Sequence, residues 1–166
     1  KKVSRVLVRQ KQLRWPIPLS LSKELPTQRI LAVQRRGKYL LIESENGNLL
    51  IHLGMSGSLR ILKKQIPPAK HDHLDILFDD NSLLRYTDPR RFGCILWQHD
   101  SFESHPLIKS MGPEPLEDGF NGGHLYKQSR GRKAPIKTFI MDGKIVVGVG
   151  NIYANESLFM AGISPK

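Results

Sequence analysis

Short stretches of this chain carry side chains that can grip a phosphate or disturb a stack of bases. Ile145 to Glu156 reads I-V-V-G-V-G-N-I-Y-A-N-E. Each glycine in a helix interior costs about 1 kcal/mol relative to alanine, so Gly148 and Gly150 predict an apolar turn packed tightly enough to exclude side chains. Asn151 then falls where a helix N-cap belongs. The helix continues through Ile152, Tyr153, Glu156, Leu158 and Phe159, and Gly162 is its stop signal. A turn that brings an asparagine and free backbone N–H groups to one point suits an anion, although an ordinary capped helix after a hydrophobic loop has the same residues. In His52-Leu53-Gly54-Met55-Ser56-Gly57 two glycines surround a methionine. That predicts a tight loop projecting Met55, a flexible apolar filler for a gap in a base stack; a core methionine is the plain alternative. Asp88-Pro89-Arg90-Arg91-Phe92-Gly93 puts an aromatic beside guanidinium groups on a rigid loop. A wedge that probes a duplex needs that pairing: the aromatic unstacks a base pair and the arginine hydrogen-bonds the orphaned partner base. A loop salt-bridged through Asp88 is the alternative.

Further cations occupy loop positions. Arg35-Arg36-Gly37-Lys38 lies at a strand junction and reads as a solvated turn or as a lysine aimed at a backbone phosphate. In Lys70-His71-Asp72-His73 two histidines share a strand face, but no third ligand is evident for a metal. Ser129-Arg130-Gly131-Arg132-Lys133 is a basic loop. In the segment after Pro135, Ile136, Phe139 and Ile140 share one face, which leaves Lys137 and Lys133 off it.

The elements that must position these groups follow from the hydrophobic pattern. Val3, Val6 and Val8 mark a strand, Leu13 to Pro18 a loop, and Arg29 to Leu53 a run of strands with a hairpin turn at Glu45-Asn46-Gly47-Asn48. Ile61 to Ala69 is a polar, proline-marked loop. Leu74 to Phe78 and Leu83 to Tyr86 form a hairpin about Asp79-Asp80-Asn81-Ser82, and Cys94 to Trp97 is a further strand. His105 to Ser110 is a short helix, Gly112-Pro113-Glu114-Pro115-Leu116 reads as an interdomain linker, and the pattern beyond it is helical, with a short helix at Gly123 to Gln128. The expected fold is α+β: an antiparallel β-sandwich over 1–112 and a helical DNA-binding unit over 116–166.

The formal charge of +11 is uneven. Residues 1–38 hold 11 Lys/Arg against one acid, residues 39–118 hold 8 against 12, and residues 119–166 hold 7 against 2. Basic ends around an acidic middle suit a polyanion lying across two regions, with affinity that falls steeply with salt. No run of about 18 apolar residues exists to span a membrane. The lone Cys94 can form neither an internal disulfide nor a cysteine cluster for zinc, and a reducing cytoplasm is the expected compartment.

V-V-G-V-G-N-I-Y-A-N-E resembles the helix-two-turns-helix signature of the formamidopyrimidine-DNA glycosylase family, bacterial enzymes that excise oxidised purines. H-L-G-M-S-G-S-L at 52–59, K-H-D-H at 70–73 and R-Y-T-D-P-R-R-F-G at 85–93 match the same family in the same order. The resemblance implies that Lys38 contacts the phosphate beside the damaged nucleotide and takes part in proton transfer during strand cleavage. It makes Met55, Arg90 and Phe92 the residues that enter the space left by an everted base, with Arg90 facing the orphan. It gives His71, Arg91, Arg132, Lys137 and Asn151 to DNA phosphates. Met55, Arg90 and Phe92 favour the purine branch over the related pyrimidine-specific endonucleases. The implied activity is a bifunctional glycosylase and AP lyase working as a monomer on duplex DNA that carries oxidised purines or abasic sites.

Family members begin with a proline whose amine is the nucleophile, followed by a glutamate, and end in a four-cysteine zinc finger. None of these is in the sequence, so no cofactor is expected in this chain, although a full-length parent binds one zinc. The expected reading is a central fragment of such an enzyme, inactive alone yet able to bind damaged DNA. A natural, non-catalytic duplex-binding module is the alternative.

Overall fold

A computed structural model describes all 166 residues, which divide into two compact units: Lys1–Arg35 with Tyr39–Phe102, and Arg36–Lys38 with Glu103–Lys166. The first unit is built from β-strands whose branched and aromatic residues suit a half-buried pleated surface: β1 (Val3–Val8), β2 (Ile30–Arg36), β3 (Tyr39–Ser44), β4 (Gly47–His52), β5 (Ser58–Leu62), β6 (Asp72–Phe78), β7 (Leu83–Thr87) and β8 (Cys94–Gln98). They form two four-stranded sheets, ordered β1-β6-β7-β5 and β2-β3-β4-β8, and every resolved pairing is antiparallel. Alternate residues of both sheets share one core: Val3, Val6, Leu74, Ile76 and Tyr86 from one, Ile42, Leu49, Ile51, Ile95 and Trp97 from the other. This is the expected sandwich.

A short helix, α1 (Leu21–Glu24), closes one end of that core with Leu21 and Leu25. The loop pattern of Leu13 to Pro18 gives no hint of it. The Glu24 carboxylate accepts from the Trp97 indole at 2.5 Å and so fastens α1 to β8. Gly47 opens β4 because the Trp97 ring lies where its Cβ would be. β5 runs to Leu62, which shortens the loop expected from Ile61; Ile66 and Pro67 within that loop give their carbonyls to Arg85 at 2.9 and 3.3 Å. Arg85 is itself buried between Asp72 and Asp75, and Arg9 also bonds Asp75.

The second unit is helical: α2 (Pro106–Lys109), α3 (Gly122–Ser129), α4 (Ile136–Met141) and α5 (Asn151–Met160), packed on Phe139, Ile140, Ile145, Ala154 and Leu158. Its start at Glu103 lies upstream of the boundary expected at 112–116, and Gly112 to Leu116 is not a loose linker. Glu114 is buried and accepts from the Gly37 amide at 2.7 Å and from Arg36 at 3.1 Å, while Arg36 also donates to the Gly112 carbonyl at 2.5 Å. The proline and glycine content that suggested a linker instead shapes an ordered strap. No helix is long and apolar enough to cross a membrane.

Candidate nucleic-acid interface

The two glycine-containing loops of the sandwich are interlocked backbone to backbone. Gly54 has φ +63°, and a Cβ there would meet the Phe92 carbonyl carbon at 2.5 Å and the Gly93 nitrogen at 2.6 Å. Only a residue without a side chain permits both the left-handed backbone and the approach. The Leu53 carbonyl accepts from Gly57 at 2.8 Å and turns the first loop so that Met55 points outward, 72% exposed. On the second loop Phe92 is 48% exposed, and the Arg90 guanidinium lies 4.6 Å from its ring centroid. Stacking of this kind holds an otherwise free arginine in one orientation. Met55, Arg90, Arg91 and Phe92 line one open cavity of about 690 Å³ with Gln12, Leu13, Arg14, His52 and Gly54.

Asp88 does not salt-bridge the neighbouring arginines, contrary to the bland expectation for this loop. It is fully buried and accepts from the Ser56 hydroxyl at 2.6 Å, the Gly93 amide at 2.9 Å and the Tyr86 phenol at 3.1 Å. Burial alone raises a carboxyl's pKa, but these donors outweigh it and hold Asp88 below the usual carboxylate range. Burial, with the Asp88 charge beside it, pushes the Tyr86 phenol up. The arginines are thereby left for solvent or a ligand. Arg91 is exposed and has φ +57°, rare for a side-chain-bearing residue, and its amide bonds the Asp88 carbonyl at 3.2 Å.

His71 is half-buried just ahead of β6, its ring 6.3 Å from that of His73. His73 occupies a bulge in the β6–β7 pairing, is buried, and donates Nε2–H to the Asp88 carbonyl at 2.7 Å. That nitrogen is committed to holding the second loop. A zinc site does not fit the residues present, since no three His, Cys, Asp or Glu side chains group and burial pushes the Cys94 thiol up to about 11.

In the helical unit Lys38 is exposed, with Nζ 3.3 Å from the Val149 carbonyl. The glycine turn differs from expectation in two respects. Gly148 has open space around its Cβ position and is required by its φ of +80°, whereas Gly150 is the one crowded, a Cβ there meeting Lys38 Nζ at 2.7 Å. The N-cap of α5 is Gly150, and Asn151 is the first helical residue, exposed and without a side-chain capping bond. Gly150 takes the extended conformation usual for an N-cap but has no side chain to accept from the first helical amides, so no side-chain cap is formed. The buried stripe of α5 is Ala154 and Leu158; Ile152, Tyr153 and Phe159 are exposed. The His124 imidazole bonds the Ile145 carbonyl at 2.9 Å and steadies the start of the turn. Arg132 is exposed in the loop before α4 and Lys137 half-buried on α4, whose inner face is Phe139 and Ile140. Met55, Arg90, Arg91 and Phe92 thus come together in one unit, with His71 joined to them through the bond from the Asp88 amide to its carbonyl at 3.1 Å; Lys38 and Asn151 come together in the other.

The sequence pattern of the formamidopyrimidine-DNA glycosylase N-terminal domain matches residues 1–95. The chain belongs to the formamidopyrimidine-DNA glycosylase family. The helix-two-turns-helix domain of the same family matches residues 111–166. The formamidopyrimidine-DNA glycosylase of Cellvibrio japonicus is 60% identical over 165 residues, and that of Stutzerimonas stutzeri 58%. Each alignment covers 99% of this chain and 61% of the relative, so the chain spans about three fifths of the relatives' length. Among solved structures, the Lactococcus lactis formamidopyrimidine-DNA glycosylase bound to DNA containing an abasic site superposes with a TM-score of 0.90 at 32% identity, over 99% of this chain and 64% of that one. The same enzyme with DNA containing N7-benzyl-Fapy-dG also gives 0.90, over 62% of its chain.

Sequence reasoning passed over Gln12, Leu13, Arg14 and Ser56. Leu13 and Arg14 carried only the signal of a proline-containing loop, and Gln12 carried none. Arg14 donates its amide to the Gly93 carbonyl at 3.1 Å and stacks on Trp15 at 4.8 Å.

Proposed function

We propose that the whole protein repairs oxidised purines in DNA as a bifunctional glycosylase and AP lyase, acting as a monomer in the bacterial cytoplasm. Its substrate is a duplex carrying 8-oxoguanine, a formamidopyrimidine or an abasic site. The observation that carries this reading is the exposure of Met55 and Phe92 on two interlocked loops, with Arg90 stacked on Phe92. Exposed large apolar groups on a rigid, cation-rich rim are costly in water and suited to replacing a base in its stack.

In this reading the damaged nucleotide leaves the stack, Met55 fills the vacated space, Phe92 wedges the neighbouring step and Arg90 hydrogen-bonds the orphaned base. Arg91, His71, Arg132 and Lys137 hold phosphates on either side. Asn151 and the first amides of α5 take the phosphate next to the lesion, because a ten-residue helix offers unpaired N–H groups and a partial positive charge there. Lys38, exposed beside the same turn, contacts that phosphate and moves a proton in the elimination that breaks the strand. An amine adds to the sugar's anomeric carbon and displaces the base, and the resulting Schiff base acidifies the adjacent C–H for that elimination. No residue of this chain is assigned the amine.

The test is the affinity of the 166-residue chain for an abasic-site duplex and for an intact one. Arg90→Ala is expected to cost about 1–3 kcal/mol on the abasic duplex and much less on the intact one, as for loss of a base-edge contact. Equal losses on both make Arg90 a general phosphate contact. The absence of any abasic preference in the unmodified chain favours a plain duplex-binding module.

A further inference from the structure

The Ser56 hydroxyl joins the two probing loops. It donates to Asp88 Oδ1 at 2.6 Å and accepts from the Arg90 amide at 3.2 Å, so one oxygen joins the residue after Met55 to the arginine two positions before Phe92. Asp88 spreads that link. Its Oδ2 holds the Gly93 amide and the Tyr86 phenol, and its carbonyl holds the Arg91 amide and the His73 ring. The groups gathered on Asp88 thus come from β7, from the bulge in β6 and from both loops. Arg91, in its left-handed conformation, needs such external restraint, because a side-chain-bearing residue at positive φ persists only where its surroundings hold it.

We propose that Ser56 is a positioning residue for reading the base opposite the lesion, fixing through Asp88 where Arg90 and Phe92 stand relative to Met55. The inference rests on the repair reading given above. Met55 and Ser56 are neighbours on a turn closed by the Leu53–Gly57 bond, so one side chain faces outward while the other is tied inward to Asp88. The discrimination between damaged and intact duplex thereby depends on a hydroxyl whose bonds are all made within the loops.

Two measurements on the 166-residue chain test this, with Ser56→Ala and the conservative Ser56→Thr compared with the unmodified chain. The first, without DNA, is amide hydrogen exchange at Arg91 and Gly93, whose N–H groups bond Asp88 and not Ser56. Ser56→Ala is expected to speed exchange at both, and Ser56→Thr to restore protection. The second is the ratio of affinities for abasic and intact duplex. It is expected to fall roughly three- to tenfold in Ser56→Ala, the scale of one lost hydrogen bond, and to recover in Ser56→Thr. Unchanged exchange at Arg91 and Gly93 overturns the inference whatever the DNA result. So does an alanine variant that loses both affinities equally, since a structural defect alone does that. If the unmodified chain shows no abasic preference, the repair reading fails, and the exchange measurement still decides whether Ser56 sets the loops.

Discussion

Gly54→Ala is the most informative single perturbation of the probing loops. Two separate costs add at this position. The backbone at φ +63° disfavours any side chain by about 1–2 kcal/mol. The new Cβ also overlaps the Phe92 and Gly93 backbone at 2.5–2.8 Å, where no flexible side-chain end can swing away. Overpacking of that kind costs about 1–3 kcal/mol, so the sum is roughly 2–5 kcal/mol. Gly131→Ala isolates the first cost, since its φ is +72° and nothing lies within 4 Å of the Cβ position. It should lose only about 1–2 kcal/mol. At about 2–4 °C per kcal/mol for a chain of this size, calorimetry separates the two variants. Gly54→Ala should also weaken abasic-duplex binding, because the only way to relieve the overlap is to move the two loops apart, while Gly131→Ala leaves the preference for abasic over intact duplex unchanged. Equal melting shifts in the two variants, or full abasic preference in Gly54→Ala, refute the interlock.

Other expectations follow from the buried polar groups. Arg85→Met leaves Asp72 and Asp75 buried without their shared partner and should cost about 3–5 kcal/mol in urea unfolding, whereas an ordinary surface arginine costs little. Asp72, Asp75 and Asp88 all have depressed pKa values in the fold, burial being outweighed by hydrogen bonds and by the charge of Arg85 at Asp72 and of Arg9 and Arg85 at Asp75. A depressed carboxyl contributes its full stability above the unfolded pKa of about 4 and loses it as pH falls through the lower folded value. Acid titration of the melting temperature should therefore fall most steeply below about pH 4, and Asp75→Asn should flatten that fall. The Cys94 thiol, buried and raised to about 11, should resist alkylation at pH 8 in the native chain and react once the chain is unfolded in urea.

The strands, their hairpin turns and the two loops that carry Met55 and Phe92 were legible because each is a local pattern: alternation of apolar residues, a glycine pair, a proline before arginines. What stayed hidden depends on partners far away in sequence. Asp88 next to Arg90 and Arg91 looks like a local salt bridge, yet its principal donor is Ser56, 32 positions away. Glu114 among prolines looks like part of a linker, but it is consumed by Arg36 and the Gly37 amide. Asn151 reads as an N-cap by residue type, yet the cap falls one residue earlier, at Gly150, beside which the end of the Lys38 side chain lies. The exposed Ile152 and Phe159 of α5 show the same limit: the sequence marks a helix as apolar without saying which side is buried.

The central claim is that Phe92 enters a duplex at the step beside a missing base. It is tested most directly by the emission of 2-aminopurine placed next to an abasic site, measured as the 166-residue chain is added. Emission should rise on binding of the unmodified chain as the base is unstacked, and should stay near the free-DNA level at saturation with Phe92→Ala. An equal rise with both proteins contradicts the claim.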